Sequence, residues 1–327
     1  MTKAISEVLN QVHSVLLQKN YSTSTIQCYS DWIYRFFFFK NIKSCEQIEK
    51  RDINDFLTFI KNNKTMAESS KKIAASALKF LCKEILKMPF KNTILLYSPC
   101  NKQKPLVLKK EEIKRLLSTL SGEKWLILCM MYGCGLSCNE CLSLRVKDIN
   151  FDTKRIKIYD ENHPRFTLFP ETLYNPIINQ INKVEISFHE NISIDKYAGV
   201  FKPNGLYDNK YLTSNEFKEH FLFPSKKLRH HSRSGKLVQY SISESLVHKT
   251  LKKALRLAGI SKKICCTTFR HSFATHLIED GYDIHLIQKL MGHKNIQSTL
   301  IYKDIAKQDA ICLRSPLDNL FEPLKNN

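Results

Sequence analysis

Acidic residues are scarce in this sequence, and no apolar run is long enough to cross a membrane. Asp and Glu total 31 against 51 Lys and Arg in 327 residues, which gives a formal net charge of +20 at pH 7. The longest apolar stretches, near residues 32–39 and 125–136, fall well short of the roughly 20 residues that a span needs. The first residues, MTKAISEVLNQ, lack the apolar core of a signal peptide. These absences predict a cytoplasmic protein without a membrane partner.

So large a positive charge would repel itself, and it therefore predicts a polyanionic partner. Nucleic acid and an anionic membrane surface both meet that requirement. A membrane-surface protein usually carries a basic amphipathic helix at one end, and no such segment is evident here. Nucleic acid is the favoured partner.

The eleven cysteines are an odd number and lie scattered through apolar stretches, which is typical of reduced, buried thiols. Cys134, Cys138 and Cys141 include a CxxC spacing, which zinc sites also use. A zinc site usually needs a second pair at similar spacing, and the nearest other pair is the adjacent Cys265 and Cys266. Steps of four and three residues also place side chains on one helix face. We therefore expect core cysteines and no metal.

Apolar spacing divides the chain into two predicted domains. Residues 1–88 read as a four-helix bundle, with helical periodicity in EVLNQVHSVLLQKN, YSTSTIQCYSDWIYRFFFF, DINDFLTFIKNN and SSKKIAASALKFLCKEIL. Residues 89–105 contain three prolines and no clear period, as an interdomain linker would. Residues 106–310 form the second domain, followed by a tail at 311–327.

The second domain is also mostly helical, with one predicted hairpin and one irregular segment. RIKIYDENHPRFTLFP alternates in its first strand and turns at residues 162–164. Residues 187–221 lack a clear period and are predicted to be an insertion or a long functional loop. Helical spacing resumes after Ser243.

Residues 265–303, which begin CCTTFRHSFATHLIEDGYDIHLIQKLMGHKN, resemble the C-terminal signature of the tyrosine recombinases, the phage integrase superfamily. Other segments resemble the integron integrases in order and approximate spacing, including LRVKDINFD, FLFPSKK and VHKTLKKALRLAGI. The resemblance implies a mainly α fold that clamps DNA, with an N-terminal SAM-like core-binding bundle and a mostly helical catalytic domain carrying a small β-hairpin or sheet. It also implies a bacterial, nucleoid-associated protein of a mobile genetic element, which assembles as a tetramer on paired sites.

The family cuts and rejoins DNA without metal or cofactor, through a 3′-phosphotyrosine intermediate. By resemblance, Tyr302 matches the nucleophile, His293 the histidine of the Gly-His pair, and Arg270 the second catalytic arginine. His271 and His276 match positions that support the fold or the site rather than catalysis. Gly292 is predicted to end a helix, which would leave His293 at the helix end.

The chain departs from the family pattern at three places. Ser137 stands where the first arginine belongs, and Thr267 stands where the first histidine of His-x-x-Arg belongs. Ser137 and Glu140 form an S-x-x-E capping box, so the fold is kept while the charge is lost. Arg145 matches a separate downstream arginine and cannot replace it. The hairpin turn carries no lysine; Arg165 is a poor acid, and Lys157 is wrongly positioned although it could bind phosphate.

Losing one oxyanion donor typically costs about 10²–10³ in rate, and losing a general acid or base about 10²–10⁴. We therefore expect a recombinase with impaired catalysis that keeps its nucleophile. A misaligned replacement group or one supplied in trans is the alternative for the chemistry. A non-catalytic DNA-binding protein, acting as a repressor or competitor at recombination sites, is the alternative function. An RNA- or membrane-associated protein has only the charge in its favour.

Predicted DNA contacts do not depend on the three departures. The acid-free stretch PSKKLRHHSRSGK and a basic helix face supply Lys226, Lys227, Arg229, Arg233, Lys236, Lys249, Lys252 and Lys253. Lys71, Lys72 and Lys79 are weaker candidates, since solubilising lysines would give the same pattern. By resemblance, the insertion holds extrahelical bases of folded single-stranded sites, and its aromatics could stack on them: Phe201, Tyr207, Tyr211, Phe217 and Phe221. The tryptophans of the integron group are absent from this stretch.

Overall fold

The computed structural model describes residues 3–19, 21, 23–42, 48–88, 104–159, 164–201, 213–231, 234–303, 305 and 316–321. The chain forms two compact units, Met1–Gln103 and Lys104–Asn327. Both are mainly helical, and the small sheets belong to the second unit. The predicted fold class is confirmed. Most of the predicted linker, residues 89–103, lies outside the described residues.

The first unit is a helical bundle built on apolar residues at helical spacing. Its helices are α1 (Lys3–Gln18), α2 (Thr23–Phe39), α3 (Lys50–Asn62) and α4 (Glu68–Phe80), and α4 continues into a π-helical turn at Leu81–Ile85. Helix α2 buries Ile33, Phe36 and Phe37 in the centre of the bundle. Successive buried positions three or four residues apart explain why this segment folds as an amphipathic helix.

The second unit packs its helices around one central helix. Its helices are α5 (Lys110–Leu117), α6 (Gly122–Gly133), α7 (Cys138–Ser143), α8 (Tyr174–Ile192), α9 (Glu244–Leu257), α10 (Cys266–Glu279), α11 (Ile284–Met291), α12 (Gln297–Lys303) and α13 (Pro316–Phe321). Helix α10 is buried almost throughout, with Phe269, Phe273 and Leu277 fully enclosed. It packs against α6, α11 and α12. Residues on α10 are therefore held rigidly by packing on several sides.

Among the described residues of this unit there are also three short sheets. Strands β1 (Ile149–Asn150), β2 (Arg155–Ile158) and β3 (Arg165–Leu168) form one antiparallel sheet in that order, and the hairpin turn at 160–163 lies outside the described residues. Strand β4 (Val200–Phe201) pairs with β5 (Thr213–Ser214), and β6 (Arg229–His230) with β7 (Leu237–Val238). In the first sheet Ile158 lies opposite Arg165, and Lys157 opposite Phe166. Directly opposed residues share a face, so Arg165 and Lys157 lie on opposite faces.

The segment predicted to be irregular from residue 187 begins with helix. Helix α8 runs on to Ile192 because Phe188 continues the buried stripe begun by Ile177 and Val184. After it come β4 and β5, with residues 202–212 between them outside the described part of the chain. Within the described ranges, no helix combines the length and apolarity needed to cross a bilayer.

Candidate functional site

Tyr302 lies on α12 with its phenol in contact with α10. It is 2% exposed, and its hydroxyl lies 2.8 Å from Nδ1 of His271. Burial raises the pKa of Tyr302, an effect that Arg270 partly offsets. Burial and then Arg270 lower the pKa of His271. The tyrosine is therefore protonated and the imidazole neutral near pH 7, so Nδ1 can accept the phenolic hydrogen.

His293 lies on the other side of the tyrosine. Gly292 ends α11 in the left-handed conformation, with φ of 68°, as the sequence predicted for a helix stop. The ring of His293 is nearly parallel to that of Tyr302, with centroids 6.3 Å apart, and its Nδ1 lies 2.9 Å from Oγ1 of Thr299. Burial, followed by Arg270, Arg165 and His271, lowers the pKa of His293 to about 4. It too is neutral at physiological pH.

The Arg270 side chain extends from α10 and contacts helix α7, helix α11 and the segment that precedes α7. Its guanidinium donates hydrogen bonds to the Gly135 carbonyl at 3.0 Å, to Oε2 of Glu140 at 2.8 Å and to the Met291 carbonyl. Burial is the main influence that lowers its pKa, yet a guanidinium stays charged at any pH of interest. A fixed positive charge thus stands beside the two histidines and the tyrosine.

The predicted capping box at Ser137 is present. The Ser137 hydroxyl accepts from the Glu140 N–H at 3.2 Å, and Oε2 of Glu140 accepts from the Ser137 N–H at 2.7 Å. The Glu140 carboxylate also contacts Arg165, whose Nη2 lies 2.5 Å from Oε1. Burial raises the pKa of Glu140, but Arg270 and Arg165 outweigh it and hold the pKa below its usual value. Ser137 therefore fixes a carboxylate that contacts two arginines.

Three further residues were singled out with the predicted departures: Thr267, Arg145 and Lys157. Thr267 is exposed on the first turn of α10. Arg145 is buried and donates to the carbonyls of Glu219 and Phe201, at 2.5 Å each, so its guanidinium links these two residues. Lys157 lies on the sheet face opposite Arg165, with its ammonium 5.1 Å from the Tyr159 ring centre.

Three contacts in this site were missed by sequence reasoning: His271 with Tyr302, Glu140 with Arg270, and Arg165 with Glu140. The capping pattern located Glu140, but nothing local in the sequence indicated its two arginine partners. His276, by contrast, is buried, and its Nδ1 lies 2.9 Å from the Tyr132 hydroxyl, consistent with a supporting role.

The predicted DNA-contacting side chains that the structure describes lie on the surface. Around the β6–β7 pair and along α9, the exposed residues are Lys226, Lys227, Arg229, Lys236, Lys249, Lys252 and Lys253. Arg233 lies outside the described residues. Lys71 of the first unit differs: it is 7% exposed, and its ammonium pairs with Glu68 at 2.9 Å. Its side chain is used within the bundle and is not open to a phosphate.

The described aromatics of the predicted insertion contact other side chains of the second unit. Phe201 is 7% exposed, with its ring centre 4.7 Å from that of His231. The Arg145 guanidinium lies 4.9 Å from the Phe221 ring centre, and Phe217 packs against Phe188. Tyr207 and Tyr211 lie outside the described residues. Phe201 is thus part of the core rather than a base-stacking platform.

The three cysteines with CxxC spacing are buried, as expected for core residues: Cys134, Cys138 and Cys141. Throughout the part of the chain that the structure describes, no group of three His, Cys, Asp or Glu residues is arranged to hold a metal ion.

A buried tyrosine flanked by neutral histidines and a fixed guanidinium suits phosphoryl transfer through a covalent tyrosyl intermediate. Residues 106–309 match the phage integrase family, and residues 8–92 match its N-terminal SAM-like domain. The chain belongs to the phage integrase family, the tyrosine recombinases, which are enzymes that cleave and rejoin DNA.

Curated relatives agree with this membership, and solved structures share the fold. The chain is 29% identical to an integrase/recombinase of Escherichia coli, over 96% of this chain and 94% of the relative. It is 28% identical to the tyrosine recombinase XerC of Anoxybacillus flavithermus, over 89% and 90%. The fold resembles XerH site-specific recombinase bound to palindromic difH substrate, with a TM-score of 0.61 at 19% identity, covering 91% of this chain and 82% of that one. It also resembles the Tn1549 transposon integrase, with a TM-score of 0.60 at 16% identity, covering 90% and 94%.

Proposed function

We propose that this chain is a site-specific recombinase of the integron type that attacks DNA with Tyr302 and whose cleavage step is slow. The observation that carries the proposal is the 2.8 Å contact between the Tyr302 hydroxyl and His271, in a cluster that also contains His293 and the Arg270 guanidinium. The proposed setting is the bacterial cytoplasm, on nucleoid or mobile-element DNA.

In the proposed reaction, the Tyr302 oxygen attacks phosphorus while its proton passes to Nδ1 of His271. The bond from phosphorus to the 5′ oxygen breaks, leaving a 3′-phosphotyrosine and a 5′ oxygen that takes a proton from water. Extra negative charge develops on the non-bridging oxygens, and Arg270 stabilises it. The reverse attack by a partner strand's 5′-hydroxyl rejoins DNA.

Three features support slow cleavage. Ser137 brings no charge, Thr267 cannot titrate near neutral pH, and Lys157 points to the far face of the hairpin from Arg165. Each loss is of a kind that costs about 10²–10³ or more in rate. The costs need not multiply, because residues that act as a unit are non-additive.

The test is covalent trapping on a nicked suicide substrate from repeats that flank the gene. Wild type is compared with a Ser137→Arg, Thr267→His double variant, and each is paired with its Tyr302→Phe control. We expect a slow Tyr302-dependent adduct from wild type and a faster one from the double variant. Equal rates from the two proteins would contradict the proposed slowing, and adducts that survive Tyr302→Phe would contradict the proposed nucleophile.

The integron assignment extends to the DNA form. We propose assembly as a tetramer on paired sites and binding to folded single strands as well as duplex. The order of the quoted sequence segments and the extra chain between α8 and α9 support this assignment, whereas the buried Phe201 does not supply a stacking platform. Gel shifts that compare a folded single-stranded site with the same site as a duplex test it; exclusive duplex binding would contradict it.

A second function, non-catalytic occupation of recombination sites as a repressor or competitor, is favoured by the exposed basic surface of β6–β7 and α9. That surface includes none of the substituted catalytic positions. Salt-dependent, site-specific binding with no adduct from wild type would favour this function over slow recombination.

A further inference from the structure

Arg165 reaches the same carboxylate as Arg270. Oε1 of Glu140 lies 2.5 Å from Arg165 Nη2, and Oε2 lies 2.8 Å from Arg270 Nη1. The two oxygens of one carboxylate are about 2.2 Å apart, so the guanidiniums are neighbours. Two adjacent guanidiniums beside a tyrosine and two histidines form a concentration of positive charge larger than one carboxylate neutralises.

The sheet register explains why this arginine, and not the hairpin lysine, faces the site. Arg165 shares its face of β3 with Thr167, whose hydroxyl donates to the Cys134 carbonyl at 2.7 Å. Cys134 adjoins Gly135, whose carbonyl accepts from Arg270. The inner face of β3 therefore lies against the chain segment that leads into Ser137.

Helix α11 fixes the Arg165 side chain from the opposite side. Nη1 of Arg165 donates to the Leu290 carbonyl at 2.6 Å, while Arg270 donates to the next carbonyl, that of Met291. Exposed carbonyls at a helix C-terminus attract cations. A Cβ added at Gly292 would lie 2.6 Å from Cδ and Nε of Arg165, so the arginine stem passes directly over this glycine. The next residue is His293.

Both guanidiniums keep donors for a ligand. Among described residues, Arg165 donates two hydrogen bonds and Arg270 three, whereas a guanidinium carries five N–H groups. Planar forks of this kind suit the paired oxygens of a phosphate.

We propose that Arg165 is a phosphate-binding catalytic residue, which with Arg270 holds the non-bridging oxygens of the DNA phosphate that Tyr302 attacks. Strand β3 then supplies part of the guanidinium charge that residue 137 does not bring. The assignment deepens the proposed recombinase function and rests on it.

Single-turnover adduct formation tests the role of Arg165. We expect Arg165→Ala to slow the adduct about 10²–10³-fold, the usual cost of one oxyanion donor. Arg165→Lys keeps a charge without the fork and should fall between wild type and Arg165→Ala. Arg155→Ala is the matched control, because Arg155 lies exposed on the opposite face of the same sheet, and its rate should stay within about twofold, as expected of a surface change.

Rescue separates phosphate binding from a structural role. Ser137→Arg should restore most of the rate that Arg165→Ala loses, because the charge returns from the neighbouring position. If Arg165 serves only to hold strand β3 against helix α11, Ser137→Arg will not restore the rate of adduct formation, and the proposal is overturned. It is overturned as well if wild type forms no adduct while Ser137→Arg alone does.

A second measurement does not require the correct DNA. Inorganic phosphate, compared with chloride at equal ionic strength, should raise the melting temperature of wild type, Arg155→Ala and Tyr302→Phe more than that of Arg165→Ala. Circular dichroism checks that each variant is folded, and Arg165→Lys replaces Arg165→Ala if the latter is not. Equal phosphate stabilisation of folded Arg165 variants and wild type would overturn the assignment. A phosphate effect that depends on Arg165, without any adduct from any variant, would reject the recombinase function and retain the anion site.

Discussion

Replacing Glu140 with glutamine removes a carboxylate that contacts Arg165 and Arg270, while leaving the size of the side chain almost unchanged. The amide offers one acceptor oxygen instead of two. Glu140 accepts from both guanidiniums and from the Ser137 N–H, so at least one of these donors must then face an NH₂ group. The two arginines would also repel each other without an intervening negative charge.

The expected loss of stability follows from the burial of these three side chains. Breaking a buried ion pair by removing one partner costs about 3–5 kcal/mol. The Glu140 side chain is 25% exposed against 11% and 14% for its arginines, which favours the lower end, about 3 kcal/mol. For a unit of about this size, 1 kcal/mol shifts the melting temperature by roughly 2–4 °C. The melting temperature of Glu140→Gln should therefore be roughly 6–12 °C below that of wild type.

Thermal and urea unfolding of wild type and Glu140→Gln measure this loss, with Glu171→Gln as control. Glu171 also pairs with a cation, Lys154 at 3.0 Å, but both side chains are largely exposed, at 72% and 63%. An exposed pair contributes little, so the control should change stability by less than about 1 kcal/mol. A loss from Glu140→Gln as small as the control's would refute the view that the carboxylate holds the arginine pair.

The pH dependence of the stability difference between wild type and Glu140→Gln provides an independent check. Because the pKa of Glu140 is held below its ordinary value, the unfolded chain takes up the proton first as pH falls. The stabilisation by Glu140 is therefore complete above the unfolded pKa, about 4.3, and is lost as pH drops through the folded pKa. The gap between wild type and Glu140→Gln should be constant from pH 5 upwards and shrink below about pH 4. A gap that persists undiminished at low pH would contradict the assignment.

Three further predictions concern other parts of the second unit. His276 is buried beside Tyr132, and burial is the main cause that lowers its pKa to about 4. Its own contribution to stability is complete above the unfolded pKa of about 6.5 and is lost by roughly 1.4 kcal/mol per pH unit below it. In urea titrations below that pH, the stability of wild type should therefore fall more steeply than that of His276→Gln, by roughly 1.4 kcal/mol per unit. Gly292→Ala should cost more than about 1 kcal/mol in thermal unfolding, because φ is 68° and the added Cβ meets Arg165. Lys227→Gln and Arg229→Gln should each reduce the salt slope of DNA binding by about 1, measured by gel shift across salt concentrations.

Sequence periodicity was sufficient for most of the helices and for several of their ends, but it missed the last turns of α8 and helix α13, which lies in the predicted tail. The S-x-x-E pattern predicted the cap at Ser137, and Gly292 predicted the end of α11, because both signals depend on a few adjacent residues. The exposure of single lysines was less predictable. The sequence around Lys71 does not distinguish it from Lys72 or Lys79, yet the Lys71 side chain is buried and its ammonium pairs with Glu68.

The site contacts could not be predicted because they depend on packing between distant segments. Arg270 and Glu140 are 130 residues apart, and Arg165 and Leu290 are 125 apart. Which face of β3 Arg165 occupies depends on the register with β2, and a shift of one residue would turn it away from the site. The turn chemistry of YDENHPRF gives no reliable sign of that register, whereas the structure fixes it by four opposed residue pairs.

Two of the predicted departures from the family pattern involve the same carboxylate, that of Glu140. Ser137 holds Glu140 through the capping box, and Glu140 in turn contacts Arg165, the basic residue that flanks the lysine-free turn. If Arg165 binds the phosphate as proposed, the serine has a positive function, since it positions the group that orients two guanidiniums. Ser137→Arg would then bring a third guanidinium towards Glu140 and compete with Arg165. Its benefit to cleavage should therefore be smaller in wild type than in Arg165→Ala, whereas independent arginines would give equal benefits in both backgrounds.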